Sequence, residues 1–306
     1  MIKSSTELQS AYETACAYPH TTADMFRHAA LIRIENGEII IDETTRRTLI
    51  NTSPVSRELR GTRIALPTYN ITIPGGTPLQ DRIAILGIGA NCSPAMLLKK
   101  FKKAGVGGEF YQAQATLADH AVVHAAFVGA TGSVPATVIP HKATHAHITA
   151  GFYTPEQAEA LTATEPNYDL VQKHDTVLTR AIESNPVLLH GALLYVSIWG
   201  AFTEDGTMPT LQSGIPQTSD LNTHPTSWAI ERVARITGYG EDVLRFVSNI
   251  KPGIQNLEDR LRHTLQLHPQ NALAASITGT SVKEASLYDQ AAKLPGNPVL
   301  PRITYL

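Results

Sequence analysis

Three groups of residues have types and spacings that can do chemistry. The first is Ile85-Leu86-Gly87-Ile88-Gly89-Ala90-Asn91-Cys92-Ser93-Pro94, an apolar strand that runs through glycines into the start of a helix. Ser93 can cap that helix and Pro94 suits its first position. Unpaired backbone N–H groups at such a start, together with the helix dipole, attract an anion such as a carboxylate. The same residues also read as a plain strand-to-helix turn. A dinucleotide site would need a third glycine at position 92, where cysteine stands, and an acidic partner ~20 residues on in a βαβ unit, which the sequence does not offer.

The second group is Thr154-Pro155-Glu156-Gln157, a capping box with proline at the first helical position, followed by Ala158, Leu161 and Glu165 at i, i+3 and i+7. That spacing puts the Glu165 carboxylate on the apolar face, where burial suits it to general acid/base work. Alternatively, Glu165 ends the helix before Pro166 and bends out to solvent. The third group is His120, His124, His141, His145 and His147. His145 and His147 share one face of a strand and can begin a metal site, but no second His-x-His, cysteine pair or His-Glu helix motif accompanies them, so no metal is expected. The run Lys99-Lys100-Phe101-Lys102-Lys103 reads as the solvated C-terminal end of a helix, where its charges complement the dipole.

These residues must be positioned by the elements around them. Apolar patterning predicts strands at Glu38–Ile41, Ile83–Leu86, Ala121–Phe127, Val134–Ile139, His145–Tyr153 and Leu193–Trp199. Helices are predicted over Pro94–Lys103, Pro155–Thr164, Ser227–Thr237, Glu241–Ile250 and Gln255–Leu267. Breakers between Leu66 and Pro78 read as a connection. The chain thus divides into an N-terminal extension (1–78) packing on a core (79–214), followed by a helical annex (215–306).

With 306 residues, 42% of them hydrophobic and 17% charged, the chain has enough apolar material for a large core and too little charge for a disordered polymer. Its 25 Lys+Arg against 27 Asp+Glu give a net charge of −2, which provides no field to gather phosphate backbones, so nucleic acid is not an expected partner. Ala121–Pro140 contains prolines, glycines and no leucine, and Val187–Phe202 is short and interrupted by His190, so neither is expected to span a membrane. Cys16 and Cys92 make no disulfide framework, and the N-terminus has no apolar run of signal-peptide length. A cytoplasmic chain is expected, with self-association into a homo-oligomer left open.

The segment from Ile83 to Tyr168 resembles the γ-glutamylcyclotransferase-like family, whose members carry a Tyr-Gly-Ser-Asn loop after a strand and a catalytic glutamate after a later strand and helix. Ile88-Gly89-Ala90-Asn91 stands at the loop, with Ile88 in place of tyrosine and Ala90 in place of serine. Val134-Pro135-Ala136-Thr137 is similar to the family's Pro-Ala strand. Thr154-Pro155-Glu156-Gln157 with Leu161, Glu165 and Tyr168 is similar to its helix and glutamate segment, although Thr162 stands where an aspartate is common. The resemblance implies an α+β fold, a small mixed β-barrel with flanking helices to which the helical C-terminal annex is added. It further implies Glu165 as acid/base, and Ile88, Gly89, Ala90, Asn91, Cys92 and Tyr168 around the substrate.

The reaction implied is attack of a substrate's α-amine on its own γ-glutamyl carbonyl, releasing 5-oxoproline and an amine from a small molecule with an α-amino acid head. No cofactor is expected. An amide hydrolase or acyltransferase on the same fold, a non-catalytic binding protein, and metal chemistry at His145 and His147 are the alternatives.

Overall fold

The structure, a computed structural model, describes residues 5–18, 30–35, 38–43, 48–51, 54–59, 62–72, 78–173, 177–179, 187–204, 208–209, 211–250, 263–264, 272–273 and 280–281. The N-terminal elements are helix α1 (Ser5–Cys16) and strands β1 (Ala30–Glu35), β2 (Glu38–Glu43), β3 (Thr48–Asn51), β4 (Val55–Leu59), β5 (Thr62–Leu66) and β6 (Thr68–Thr72). The centre holds β7 (Leu79–Gly87), α2 (Pro94–Ala104), β8 (Phe110–His124), β9 (Ala136–Tyr153), α3 (Pro155–Ala163) and β10 (Tyr168–Gln172). Strands β11 (Val177–Thr179), β12 (Val187–Leu189), β13 (Leu193–Ser197) and β14 (Ala201–Glu204) follow, then helices α4 (Thr226–Ile236) and α5 (Val243–Asn249).

The fold is a mixed α+β arrangement around one large sheet. Its main path runs β12-β11-β8-β9-β7-β13-β10 and ends on Thr280–Ser281. The pair β7 and β9 is antiparallel, as is β8 with β9, whereas β13 runs parallel to β7. Strand β7 alternates: Ile83 and Ile85 bury in one core and Ala84 and Leu86 in another, as a strand covered on both faces requires. Helices α2 and α3 close one face, with Leu97, Leu98 and Phe101 from the first and Ala158 and Leu161 from the second. No closed barrel is found among the described residues.

Two predicted strands are longer than their apolar runs. Strand β8 begins at Phe110 rather than Ala121, because Gln112, Gln114 and Thr116 occupy ladder positions that the apolar pattern does not mark. The two strands predicted at Val134–Ile139 and His145–Tyr153 are one strand, β9, that runs through Pro140. Proline is tolerated there because it lies opposite His120 beside a break in register between Ala118 and His120. Asp119 and Ala143 take positive φ at this irregularity, and the Asp119 carboxylate accepts the Ala143 N–H at 2.8 Å. The stretch read as a connection contains β6, which pairs with β7, so residues ahead of position 79 enter the main sheet.

The C-terminal segment is not wholly helical. Helices α4 and α5 form close to the predicted spans, but Gln217–Thr218, Thr223–His224 and Thr280–Ser281 add strand pairs to the main sheet. The helix predicted at Gln255–Leu267 lies largely outside the described residues. Ala15 of α1, Ile230 and Val233 of α4, and Phe246 and Val247 of α5 bury together against Val128, Val134 and Phe202. These three helices thereby back the connection between β8 and β9. No helix among the described residues is long and apolar enough to cross a membrane.

Candidate functional site

The loop after β7 is held by close backbone packing. A methyl group on Gly87 would meet the Thr149 hydroxyl and lie 2.7 Å from the Asn91 carbonyl oxygen, so only glycine lets the chain turn here. Gly89 has φ of +57°, and residues 89–92 close a 3₁₀ turn. The Gln112 side-chain amide donates to the carbonyls of Asn91 (3.4 Å) and Cys92 (3.2 Å) and to Thr149 Oγ1 (3.0 Å), which ties the turn to β8 and β9. Helix α2 then starts as the sequence predicts, with Ser93 accepting the Met96 N–H and Pro94 in the first turn.

At the far side, Thr154 and Gln157 form the capping box at the start of α3. Gln157 N–H donates to Thr154 Oγ1 (3.2 Å) and Thr154 N–H to Gln157 Oε1 (3.0 Å). The helix ends at Ala163, and Glu165 sits in the turn that follows rather than on the helical face. Its N–H donates to the Thr162 carbonyl (3.1 Å) and its carbonyl accepts the Tyr168 N–H (3.2 Å). That turn aims the Glu165 carboxylate inward, leaving its side chain 13% exposed.

Asn91 and Glu165 meet in a cavity of about 380 Å³. Asn91 Nδ2 donates to Glu165 Oε1 at 3.2 Å, and Thr164 Oγ1 approaches the same oxygen at 3.4 Å. Lys100, from the middle of α2, completes the group: Nζ donates to Glu165 Oε1 at 2.5 Å and to Asn91 Oδ1 at 2.7 Å. Lys100 and Glu165 are the charged side chains of the cavity lining.

Two phenols stand beside them. Tyr18 accepts the Ala136 N–H at 3.0 Å and bonds the Ala90 backbone, while the Tyr168 hydroxyl donates to the Ala136 carbonyl at 2.8 Å. Burial first, and then the nearby Glu165 charge among other neighbours, raises both phenols above the ordinary range, so they serve as neutral hydrogen-bonding groups near pH 7.

Of the residues expected at the site, Glu165, Ile88, Ala90, Asn91 and Tyr168 line this cavity, and Gly89 and Cys92 do not. Cys92 points back into the core. Its thiol donates to the Gly87 carbonyl at 3.0 Å, and burial pushes it up to about 12. Three backbone groups of the loop expected to receive an anion are engaged within the protein. The Ala90 backbone bonds Tyr18, the Asn91 N–H goes to the Ile88 carbonyl (3.3 Å), and the Ser93 N–H goes to that of Ala90 (3.1 Å). The turn offers the Asn91 side chain instead.

Sequence reasoning missed three contributors. Lys100 was hidden in a run of lysines, although it follows Met96 by one helical turn and both line the cavity. Tyr18 arrives from the N-terminal segment, with no local signal. The connection between β8 and β9 brings Phe127, Ser133 and Pro135 to the wall; the apolar pattern marks Phe127 and Pro135 as strand residues and gives no signal at Ser133.

The histidines lie elsewhere. His145 is exposed on β9, His147 Nδ1 lies 3.5 Å from Thr116 Oγ1, and among the described residues no group of three His, Cys, Asp or Glu side chains is arranged to hold a metal ion.

The arrangement therefore provides one carboxylate, one ammonium, the side-chain amides of Asn91 and Asn167, and several apolar side chains. Comparisons with protein-family models, curated proteins and solved structures find no match to this chain.

Proposed function

We propose that the protein is a cyclotransferase of γ-glutamylcyclotransferase-like type, acting on a γ-glutamyl-type amide with Glu165 as general acid/base. The observation that carries this reading is the Asn91–Glu165 hydrogen bond, which joins the glycine-asparagine loop to the glutamate after α3 across one cavity. In the reaction, the substrate's α-amine attacks its γ-carbonyl carbon and a ring C–N bond forms. Glu165 takes the proton from that amine and returns it to the leaving nitrogen as the amide C–N bond breaks. The products are 5-oxoproline and a free amine, and the atoms balance without a co-reactant.

Holding amine and carbonyl in one small cavity favours ring closure over attack by water, since well-oriented intramolecular nucleophiles reach effective molarities of order 10⁵–10⁸ M. Asn91 steadies the Glu165 carboxylate, and the neutral phenols of Tyr18 and Tyr168 keep the loop and the Pro135-Ala136 strand end in register. The barrel of that family is the fold that goes with this reading, and the central strands β8, β9, β7, β13 and β10 are the part of the sheet that supports it.

The test is mass spectrometry of the products from a γ-glutamyl alkylamide incubated in ¹⁸O-water. Cyclotransfer gives unlabelled 5-oxoproline; open-chain glutamate carrying ¹⁸O replaces it with hydrolysis. Glu165→Gln should melt as the parent does and lose ~10²–10⁴-fold in turnover, and a folded variant with parental turnover removes Glu165 from the mechanism.

A further inference from the structure

We propose that Lys100 is the residue that binds the α-carboxylate of the substrate, a role the loop backbone does not fill. This rests on the reading of the cavity as a site for an α-amino acid amide and adds the group that recognises its head.

An ammonium has three N–H donors and no acceptor. Two of those on Lys100 are committed, to Asn91 Oδ1 at 2.7 Å and to Glu165 Oε1 at 2.5 Å, and both hold the side chain in place across the cavity. The third remains for a ligand. Lys100 is also the one cation among the lining residues, and at 18% side-chain exposure it is curled inward rather than extended into water as its neighbours in the lysine run suggest.

Three backbone groups of the competing anion site are already taken. Ala90, Asn91 and Ser93 direct their backbone groups to Tyr18, Ile88 and Ala90 respectively, so a carboxylate arriving at the loop finds those donors already engaged. The charge order fits as well. An α-amino acid head carries its amine and carboxylate on one carbon, so the groups that receive them must be neighbours of opposite charge. Glu165 and Lys100 are such a pair, and the assignment places the amine against the Glu165 carboxylate while the carboxylate takes the remaining Lys100 donor.

Equilibrium binding of 5-oxoproline, compared with that of its uncharged analogue 2-pyrrolidinone, tests the assignment by calorimetry or by NMR titration. The parent protein should bind 5-oxoproline, Lys100→Gln should weaken it at least tenfold, and Lys100→Arg should restore part of the loss because the charge is kept. Binding of 2-pyrrolidinone should be the same in all three. Equal 5-oxoproline affinity in the parent and in folded Lys100→Gln overturns the assignment, as does the absence of 5-oxoproline binding by the folded parent.

Turnover of a γ-glutamyl alkylamide, measured on the same preparations, separates this inference from the reading beneath it. Lys100-dependent binding without 5-oxoproline production removes cyclotransfer and leaves Lys100 as the carboxylate holder. Production of 5-oxoproline with a KM unmoved by Lys100→Gln does the reverse.

Discussion

Asn91 and Glu165, 74 positions apart in sequence, are joined by a 3.2 Å hydrogen bond between a side-chain amide and a carboxylate. Neither residue reaches the other by local structure. Asn91 is carried there by the 3₁₀ turn after β7, and Glu165 by the turn between α3 and β10. Asn91 also accepts from Lys100, so one amide bridges both charges of the cavity.

Removing that bridge should therefore disturb the site more than the fold. Asn91→Leu is close in size and eliminates both hydrogen bonds. Bonds to charged groups are worth ~1.5–3 kcal/mol when buried, and with both charged partners partly exposed the expected loss of stability is smaller, about 1–2 kcal/mol by urea unfolding. On the proposed mechanism turnover should fall at least tenfold, because Glu165 keeps its carboxylate and loses its aim. A variant as active as the parent would show that the amide is a bystander.

Much of this site was legible in the sequence where the signal is local. The capping box at Thr154 and Gln157, the Ser93-Pro94 helix start and the break at Pro166 each depend on residues within one turn of each other, and all three lie where the spacing puts them. Glu165 was singled out for a helical face, yet the turn beyond the helix is what points it inward. Lys100 was not legible, because a lysine among lysines has the same local pattern whether it faces water or a carboxylate. Tyr18 was not legible either, since its contacts with Ala90 and Ala136 are set by how α1 packs on α4 and α5. The continuity of β9 through Pro140 depends on the partner strand, which supplies the irregularity that proline needs.

Gly89 gives a test of the loop that is independent of chemistry. Its φ of +57° is in the left-handed region, and an added methyl would overlap the Tyr18 hydroxyl. The backbone alone costs a non-glycine residue about 1–2 kcal/mol there, and the overlap adds to it. Gly89→Ala should therefore unfold at least about 2 kcal/mol earlier in urea. Pairing it with Tyr18→Ala should return the part due to the overlap and leave the part due to φ, so a double mutant no better than strict addition of the two singles would refute the contact.

His124 sets an acid limb on stability. Burial, which outweighs its bond to the His224 carbonyl at 3.1 Å, lowers the imidazole from 6.5 to about 4. Between those values the unfolded chain binds a proton that the native chain does not, so stability is full above pH 6.5 and falls as pH drops toward 4. The loss attributable to this one group is on the order of 2–3 kcal/mol. Unfolding midpoints of the parent and of His124→Gln, followed from pH 7 to pH 4, check it: the variant should start lower and lose less across that window. Parallel curves would assign the acid sensitivity elsewhere.

If the proposed cyclotransfer holds, the composition of the cavity wall bears on which amide is cleaved. Ile88, Met96, Phe127 and Pro135 contribute apolar surface to a cavity whose charges are Lys100 and Glu165, so on the proposed reading a substrate with its amino acid head on that pair has hydrocarbon available to its leaving amine. A buried methylene is worth ~0.8 kcal/mol, which is about fourfold in kcat/KM when fully buried and nearer twofold along a partly open wall. A series of γ-glutamyl n-alkylamides from methyl to pentyl should therefore gain about two- to fourfold per carbon until the wall is covered. A leaving amine ending in a carboxylate, such as that of a γ-glutamyl dipeptide, should be the poorer substrate because it would move a charge away from water without a partner. Met96→Ser should flatten the alkyl series while leaving the methylamide nearly unchanged, since Met96 lies one helical turn from Lys100 on the cavity side of α2. Rates that do not vary with chain length in the parent would mean that the leaving group departs into solvent and that the apolar wall serves packing alone.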